Sequence, residues 1–313
     1  MKIAVMGAGG IGGYIGGRLA AAGEDVFLIA RGRHLEALKA KGLRIESPLG
    51  DAELPDIHAS DDPAGIGPVD LVLFTVKLPD TDVAAASLAP LVGPQTRIVT
   101  LQNGIDSADM IARHVPRHQI SAGIIFIAAH IKEPGVITNP GGMHAMTIDA
   151  MDGDATLAAF FAACEKAVGI EVTATDEPER TIWRKFIALV AFSGVTAITR
   201  LPIGAIYANP DTLAFMRQLL DENIAIANAS GQDFGPGDAE KIVNLLASQP
   251  DDQKSSMLID LENGKRLELP WLSGRVHQLG KEHRLATPAN SAVWAALSPH
   301  VNGAFEALSQ GPG

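Results

Sequence analysis

The stretch Met1-Lys2-Ile3-Ala4-Val5-Met6-Gly7-Ala8-Gly9-Gly10-Ile11-Gly12 decides the fold of the N-terminal half of this chain. A short apolar run that favours a strand leads into the spacing Gly-x-Gly-x-x-Gly, and small, helix-compatible residues follow. In this spacing Gly7 permits a sharp turn, Gly9 lets the backbone approach a pyrophosphate, and Gly12 lets the helix pack closely on the strand. The free N–H groups at the start of the helix favour phosphate binding. The segment predicts a dinucleotide site formed by Gly7, Ala8, Gly9, Gly10, Ile11 and Gly12.

A glycine-rich turn without a ligand is the alternative, because 32 glycines in 313 residues produce such spacings by chance. The context favours the site. A strand precedes the glycines, a helix follows them, and a second predicted strand at residues 25–30 lies at the expected distance.

The end of that second strand bears on which dinucleotide is bound. An NAD site usually has Asp or Glu there to bind the ribose 2′-hydroxyl, whereas this chain has Ala30-Arg31-Gly32-Arg33. Arg31, assisted by Arg33, can pair with a 2′-phosphate through charge-assisted hydrogen bonds. Two solvated loop arginines are the alternative. We favour NADPH as the cofactor.

Composition narrows the class of protein. A chain of 313 residues is long enough for two domains, and its net charge of −11 disfavours a general nucleic-acid-binding surface. The apolar runs are short and interrupted, so we expect no membrane span, and the N-terminus lacks a secretion signal. These features predict a cytoplasmic protein. The single cysteine, Cys164, cannot form an intramolecular disulfide and is expected to be a small buried residue.

Two further strands predict polar residues at the same edge of the sheet. Residues 69–76 are almost continuously apolar and end at Lys77, and residues 97–101 are followed by Gln102-Asn103-Gly104. Ligands of open parallel sheets bind beyond the carboxyl ends of the strands, so Lys77 and Asn103 are candidates to contact cofactor or, for Asn103, substrate. An ordinary loop lysine and an Asn-Gly turn are the alternatives.

Turn signals predict two hairpins in this half. One surrounds residues 47–51, and in the other Asn139-Pro140-Gly141-Gly142 joins residues 136–138 to 143–148, which would introduce antiparallel pairing into the sheet. His114 and His118 have a helical spacing, but Pro116 lies between them and should break the helix. We therefore expect no metal site.

Near Asp176 the sequence pattern changes from alternating strands and helices to helices alone. We place a domain boundary there, between a domain at residues 1–175 and a helical domain at residues 176–313. The first predicted helix of the second domain, residues 181–193, is apolar almost all round, which implies burial. Lys185 lies on this helix among apolar neighbours. A lysine there either extends to solvent or lines a cleft, where partial desolvation would lower its pKa and make it a proton donor near neutral pH.

The chain as a whole resembles the ketopantoate reductase (2-dehydropantoate 2-reductase) family. The resemblance extends in order over the whole chain, and it is carried by the N-terminal glycines, Arg31, Thr75-Val76-Lys77, Leu101-Gln102-Asn103-Gly104, Trp183-Arg184-Lys185-Phe186, Ser255-Ser256-Met257-Leu258-x-Asp260 and Glu268. It implies an α/β fold, with an N-terminal Rossmann-type domain and an all-helical C-terminal domain. It also implies NADPH-dependent reduction of a 2-oxo acid to a 2-hydroxy acid, in this family ketopantoate to pantoate in pantothenate biosynthesis. By the same resemblance Lys185 would be the catalytic lysine, Glu268 would complete the polar site, Lys77 and Asn103 would face the cofactor, and Ser256 would hold the substrate. From sequence alone, Ser256 and Glu268 also fit a helix cap and a solvated acid.

One departure from the family pattern concerns the substrate. The family has asparagines four and eight residues after the catalytic lysine, where this chain has Leu189 and Ser193. A different, more apolar 2-oxo acid is therefore the first alternative substrate. A non-catalytic NADP-binding sensor is the second alternative, which the retained Lys185 argues against. We expect no nucleic-acid or membrane partner, and the sequence is compatible with a homodimer without determining the oligomeric state.

Overall fold

The computed structural model describes residues 1–235 and 237–304 of the chain. The chain divides into two compact units, Met1–Ile182 and Trp183–Gly313, and the boundary expected near Asp176 lies just before the helix that spans this division. The division at residues 175/176 stays a prediction, and its last part, residues 305–313, lies outside the described residues.

The N-terminal unit alternates strands and helices. Its strands are β1 (Lys2–Met6), β2 (Asp25–Ile29), β3 (Leu43–Glu46), β4 (Ala52–Leu54), β5 (His58–Ser60), β6 (Val69–Phe74), β7 (Val92–Thr100), β8 (Ile120–Ile127), β9 (His130–Glu133), β10 (Val136–Thr138), β11 (His144–Asp149) and β12 (Glu171–Thr175). Its helices are α1 (Gly10–Ala21), α2 (Gly32–Lys41), α3 (Thr81–Ala86), α4 (Ser107–Ile111) and α5 (Ala155–Lys166).

Eight strands form the main sheet in the order β12-β11-β8-β7-β6-β1-β2-β5. The six strands from β8 to β5 are parallel, and the chain runs outward from β1 in both directions, which is the Rossmann arrangement. Ile3 and Val5 of β1 join the core on one face of the sheet, and Ala4 and Met6 join the core on the other. Burial on both faces explains why this strand is apolar without alternation. The point where the strand order reverses lies between β1 and β6, beside the glycine-rich loop.

A smaller sheet has the order β4-β3-β10-β9. The predicted hairpin around residues 47–51 is confirmed, because β3 and β4 pair antiparallel on either side of it.

The predicted hairpin at Asn139-Pro140-Gly141-Gly142 is wrong. β10 pairs with β3 and β9 in the small sheet, whereas β11 pairs antiparallel with β8 in the main sheet. The segment is a crossover between sheets, held by Asn139, whose Nδ2 donates to the Ala128 carbonyl at 2.7 Å and whose N–H donates to the Glu46 carbonyl at 3.0 Å. Local turn residues suit both a hairpin and a crossover, and only the partner strands decide between them. Antiparallel pairing does enter the sheet here, between β8 and β11.

The described residues of the C-terminal unit contain helices joined by loops and no strand. It contains the larger part of α6 (Pro178–Thr199), followed by α7 (Ile203–Ala208), α8 (Pro210–Ala229), α9 (Asp238–Ala247), α10 (Ser256–Glu262), α11 (Ser273–His283) and α12 (Pro288–Leu297). The predicted α/β fold with a helical C-terminal domain is confirmed.

Helix α6 is long and apolar enough to cross a membrane, and it is the one such helix within residues 1–235 and 237–304. It is longer than the interrupted apolar runs of the sequence suggested. However, 56% of its most apolar window is buried inside the protein, as in a core helix. Cys164 is buried as expected, and burial raises the pKa of its thiol to about 12.

Candidate active site

The glycine-rich loop between β1 and α1 is shaped by steric limits at individual glycines. Gly7 has φ +97°, and a Cβ there would lie 2.7 Å from Val76 Cγ1. A Cβ at Gly12 would lie 2.4 Å from the carbonyl oxygen of Gly7. At Gly9, by contrast, a Cβ would meet no atom within 4 Å. Gly7 and Gly12 are therefore required by the fold itself, whereas the space beside Gly9 is open to a ligand.

Gly10 and Gly13 allow the start of α1 to pack closely against the small sheet and the segment that leads into it. A Cβ at Gly10 would lie 2.2 Å from the carbonyl oxygen of Ala129, and one at Gly13 would lie 2.1 Å from Ile137 Cδ1. These glycines let the first turns of α1 approach the small sheet. Ala8 is buried and Ile11 is partly buried.

Thr75 and Gln102 stand in two of the family motifs, but the sequence interpretation gave them no role, and both form hydrogen bonds with the loops at this edge of the sheet. Thr75 Oγ1 donates to the Gly7 carbonyl at 3.0 Å, and Gln102 Nε2 donates to the Val76 carbonyl at 2.9 Å and to Thr81 Oγ1 at 2.7 Å. Gln102 thereby joins the segment after β7 to the segment after β6. Their position directly after buried strands is the signal that could have identified them.

The structure places the predicted cofactor residues of the N-terminal unit at the expected strand ends. Lys77 is exposed after β6, and its carbonyl accepts from Asp80 N–H at 2.9 Å, while Asn103 is half-buried after β7. Arg31 is exposed directly after β2 and is the N-cap residue of α2, with extended backbone at φ −137° and ψ 159°. The strand pairings β2-β1-β6-β7 bring all these ends, together with the glycine-rich loop, to one edge of the parallel sheet.

In the C-terminal unit, Lys185 and Glu268 form an electrostatic pair. Lys185 is half-buried on α6 between the buried Trp183 and Phe186, while the neighbouring Arg184 is exposed. Burial lowers the pKa of Lys185 from 10.5 to about 8, and the carboxylate of Glu268 acts in the opposite direction. A lysine that is close to half-protonated near pH 8 is suited to proton transfer.

Three of the five predicted substrate-binding residues differ in exposure from one another; the five are Asn103, Lys185, Leu189, Ser193 and Ser256. Leu189 is half-buried one turn after Lys185, and Ser256 is exposed at the first position of α10. Ser255, not Ser256, is the helix cap, because its Oγ accepts from Leu258 N–H at 3.1 Å. Ser193 is 0% exposed, and its Oγ has no hydrogen-bond partner in the described chain. Contact of Ser193 with a substrate stays a prediction.

A buried polar network fixes the turn of α6 that carries Lys185. Asn223 Nδ2 on α8 donates to the Ile187 carbonyl at 3.0 Å, and Asn290 Nδ2 on α12 donates to Asn223 Oδ1 at 3.1 Å. The Glu222 carboxylate accepts from the backbone N–H groups of Ala289 and Asn290 at 2.7 and 2.9 Å.

No cluster of three or more His, Cys, Asp or Glu side chains that could hold a metal ion occurs within residues 1–235 and 237–304.

Two family models match this chain, one for each half. The model described as ketopantoate reductase PanE/ApbA matches residues 3–153, and the model for the C-terminal domain of the same family matches residues 178–300. The chain belongs to the ketopantoate reductase PanE/ApbA family. The resemblance seen in the sequence is thereby confirmed.

Individual relatives agree over nearly the full length. A 2-dehydropantoate 2-reductase of Halobacterium salinarum is 31% identical, covering 92% of this chain and 95% of its own. The crystal structure of a PanE/ApbA family ketopantoate reductase from Ralstonia eutropha JMP134 superposes with a TM-score of 0.87 at 34% identity, covering 96% and 98% of the two chains. The ternary structure of D-mandelate dehydrogenase with NADH and anilino(oxo)acetate has a TM-score of 0.86 at 22% identity, covers 96% and 98%, and shares the fold. The protein is therefore a 2-oxo acid reductase of this family.

Proposed function

We propose that this protein uses NADPH to reduce a 2-oxo acid to the corresponding 2-hydroxy acid, with Lys185 as the proton donor. The observation that carries the proposal is Lys185 itself, a lysine with a lowered pKa beside an apolar helix face and a carboxylate. A sensor that only binds the cofactor would have no need for such a group.

The chemistry divides between cofactor and protein. When bound, the dinucleotide supplies a hydride for the carbonyl carbon of the substrate. Lys185 holds a proton at Nζ and donates it to the carbonyl oxygen as negative charge develops there. The negative charge of Glu268 favours the protonated form of Lys185, so that the lysine is charged again before the next turnover.

The N-terminal unit fits a phosphorylated dinucleotide. The open space beside Gly9 and the start of α1 suit the pyrophosphate, and residues Gly7, Ala8, Gly10, Ile11 and Gly12 would form the rest of the loop around it. Arg31 is exposed where an NAD site usually has a carboxylate, which supports pairing with a 2′-phosphate. Lys77 and Asn103 would complete the site at the neighbouring strand ends.

The substrate we favour is 2-dehydropantoate (ketopantoate), whose reduction gives pantoate in pantothenate biosynthesis. Its support is the family and the repeated occurrence of 2-dehydropantoate 2-reductases among relatives at about 30% identity. Ser256, exposed at the start of α10, is available to bind it. We further propose that the enzyme works in the cytoplasm and that a homodimer is compatible with its function.

A more apolar 2-oxo acid is the second candidate substrate, and Leu189 is the observation that favours it. This leucine is half-buried one turn after Lys185, where the family pattern has an asparagine. A polar substrate group that lies against leucine loses a hydrogen bond, which costs about 0.5–1.5 kcal/mol. D-mandelate dehydrogenase shows only that the same fold can bind anilino(oxo)acetate.

The test is NADPH oxidation, followed by absorbance, with a panel of 2-oxo acids that includes ketopantoate and analogues with apolar branches. Turnover of ketopantoate with the highest kcat/KM supports the first substrate, and a higher kcat/KM for an apolar-branched acid supports the second. Absence of turnover across the panel would contradict the proposed enzyme function.

The variant Leu189→Asn sharpens the choice. If Leu189 faces the substrate, the new amide should raise kcat/KM for ketopantoate about 2- to 12-fold relative to the apolar analogue. Ala188→Asn is the matched control, because it places the same amide one position earlier and about 100° around α6. Equal effects of the two variants would remove Leu189 from the specificity argument. Ser193→Asn is less informative, because Ser193 is fully buried.

A further inference from the structure

The side chain of Gln102 extends the connection between β6 and β7 beyond the ends of the two strands. The backbone register of this parallel pair runs to Phe74 and Thr100. Past this point, Gln102 Nε2 donates to the Val76 carbonyl at 2.9 Å. Thr100 Oγ1 donates to Gln102 Oε1 at 3.2 Å, so both ends of the amide are held. A carbonyl oxygen can only accept, and the contact with Val76 therefore fixes which end of the amide is the nitrogen.

The second hydrogen of the amide is also used. Gln102 Nε2 donates at 2.7 Å to Oγ1 of Thr81, the first residue of α3, which is fully buried. The segment from Val76 to Thr81 is thus bonded to one glutamine at both of its ends. Lys77 lies within this segment, and Asn103 directly follows the glutamine in the chain.

A separate set of contacts joins the segment after β6 to the glycine-rich loop. Thr75 Oγ1 donates to the Gly7 carbonyl at 3.0 Å, and Thr75 N–H donates to the Met6 carbonyl at 2.9 Å. A Cβ at Gly7 would lie 2.8 Å from the backbone nitrogen of Val76. These contacts place the segment relative to β1. They do not involve the segment after β7, to which Gln102 makes the connection.

We propose that Gln102 is a positioning residue that holds Lys77 and Asn103 at a fixed distance from each other and thereby orients the bound dinucleotide for hydride transfer. The inference rests on the proposed function. Loss of the amide releases the segment that contains Lys77 from the residue that precedes Asn103. Arg31 follows β2, on the far side of β1 from these two strand ends. The effect should therefore be the same for NADPH and NADH.

The first test replaces Gln102 with methionine, which has a similar length and no amide. In Gln102→Met, kcat with the 2-oxo acid that the parent turns over best should fall about 10- to 100-fold, because a misplacement of about 1 Å in the bound reactants can cost about 100-fold. The fall should be equal with saturating NADPH and saturating NADH. Dissociation constants, measured by cofactor fluorescence, should rise less, by about 2- to 12-fold for both dinucleotides, as expected for one lost hydrogen bond.

A second variant, Gln102→Glu, separates the hydrogen bonds from the size of the side chain. The carboxylate keeps the length and an acceptor for Thr100 Oγ1, but it has no N–H for the Val76 carbonyl. We expect kcat to be lowered at least as much as in Gln102→Met, again equally with both dinucleotides.

Thr96→Val is the matched control, because it removes a side-chain hydrogen bond between the same two strands at their opposite ends. Thr96 is buried on β7, and its Oγ1 donates at 2.6 Å to the carbonyl of Val69, the first residue of β6. The control should lower the thermal unfolding temperature, as Gln102→Met does. It should leave kcat within about threefold of the parent, since it costs a hydrogen bond of the fold alone.

A kcat within about threefold of the parent in both Gln102 variants would overturn the proposal. So would a loss confined to one of the two dinucleotides, or a loss of kcat in Thr96→Val as large as that in Gln102→Met. If Gln102→Met does not fold, Gln102→Glu carries the same expectation. A parent protein that binds neither dinucleotide overturns the proposed function as well, whereas a parent that binds and reduces a 2-oxo acid confines the failure to Gln102.

Discussion

The glycine-rich loop of the N-terminal unit and the Lys185 segment of α6 acquire their chemical properties in opposite ways. The loop depends on backbone shape, since Gly7 and Gly12 have no room for a Cβ and Gly9 leaves open space. The Lys185 segment depends on one side chain whose chemistry is changed by its surroundings. A backbone site can be recognised from glycine spacing together with the strand and helix that flank it. A site made by burial needs the packed helices around it.

Removal of Lys185 tests the side-chain part of this comparison and should have the largest effect. Lys185→Ala should lower kcat about 10²- to 10⁴-fold, as expected for loss of a general acid, with NADPH binding retained. Steady-state kinetics and cofactor titration measure the two quantities. Arg184→Ala is the control, because this neighbour is exposed and should leave kcat unchanged. A kcat within a few-fold of the parent in Lys185→Ala would disprove the catalytic assignment.

A pair of glycine variants tests the backbone part. Gly9→Ala should leave the thermal unfolding temperature nearly unchanged, because its Cβ meets no atom within 4 Å. It should nevertheless weaken the binding of both dinucleotides about 10- to 150-fold. The reason is the loss of hydrogen bonds to the charged pyrophosphate, which are worth about 1.5–3 kcal/mol.

Gly12→Ala is the matched variant. It tests a glycine that the fold requires, whereas Gly9→Ala tests a glycine that the ligand requires. Its Cβ would lie 2.3 Å from Thr75 Oγ1 and 2.4 Å from the Gly7 carbonyl oxygen, so it should destabilise the protein by about 1–3 kcal/mol. Calorimetry with and without NADPH separates the two effects. Equal destabilisation by both variants would mean that Gly9, too, serves only the fold.

Arg31→Ala tests whether one side chain adds cofactor specificity to the backbone site. A hydrogen bond to a charged group is worth about 1.5–3 kcal/mol, so the parent should prefer NADPH over NADH about 10- to 150-fold, and the variant should lose most of this preference. Arg33→Ala should have a smaller effect, as expected of an assisting residue. The ratio of dissociation constants is the measurement. The same loss for both cofactors would show that Arg31 supports the fold instead.

The smallest expected change is a shift of the pH profile, which concerns Lys185 and Glu268 together. A general acid must be protonated, and the pKa of Lys185 is lowered to about 8, so kcat/KM should fall about tenfold per pH unit above pH 8. Glu268 raises the pKa of Lys185 against burial, so Glu268→Gln should move the decline to lower pH. A profile that is flat to pH 10 in the parent would contradict proton donation by Lys185.

Much of the N-terminal unit could be predicted because its determinants are local. Strands buried on both faces are apolar without alternation, and the turn at Gly7 needs a residue that tolerates φ +97°. These requirements constrain residue types within a few positions. The crossover at Asn139 could not be predicted in the same way, since its residues suit a hairpin equally well.

The amino-acid sequence by itself determined the glycine loop, the strand-end residues and the family, because each depends on neighbouring positions or on a pattern in fixed order. Only the tertiary structure decided which hydroxyl caps α10, that Ser193 is fully buried, and that Gln102 connects the segments after β6 and β7. It also decided the lowered pKa of Lys185. Burial and long-range hydrogen bonds arise from residues far apart in the chain, and no local pattern records which of them will meet.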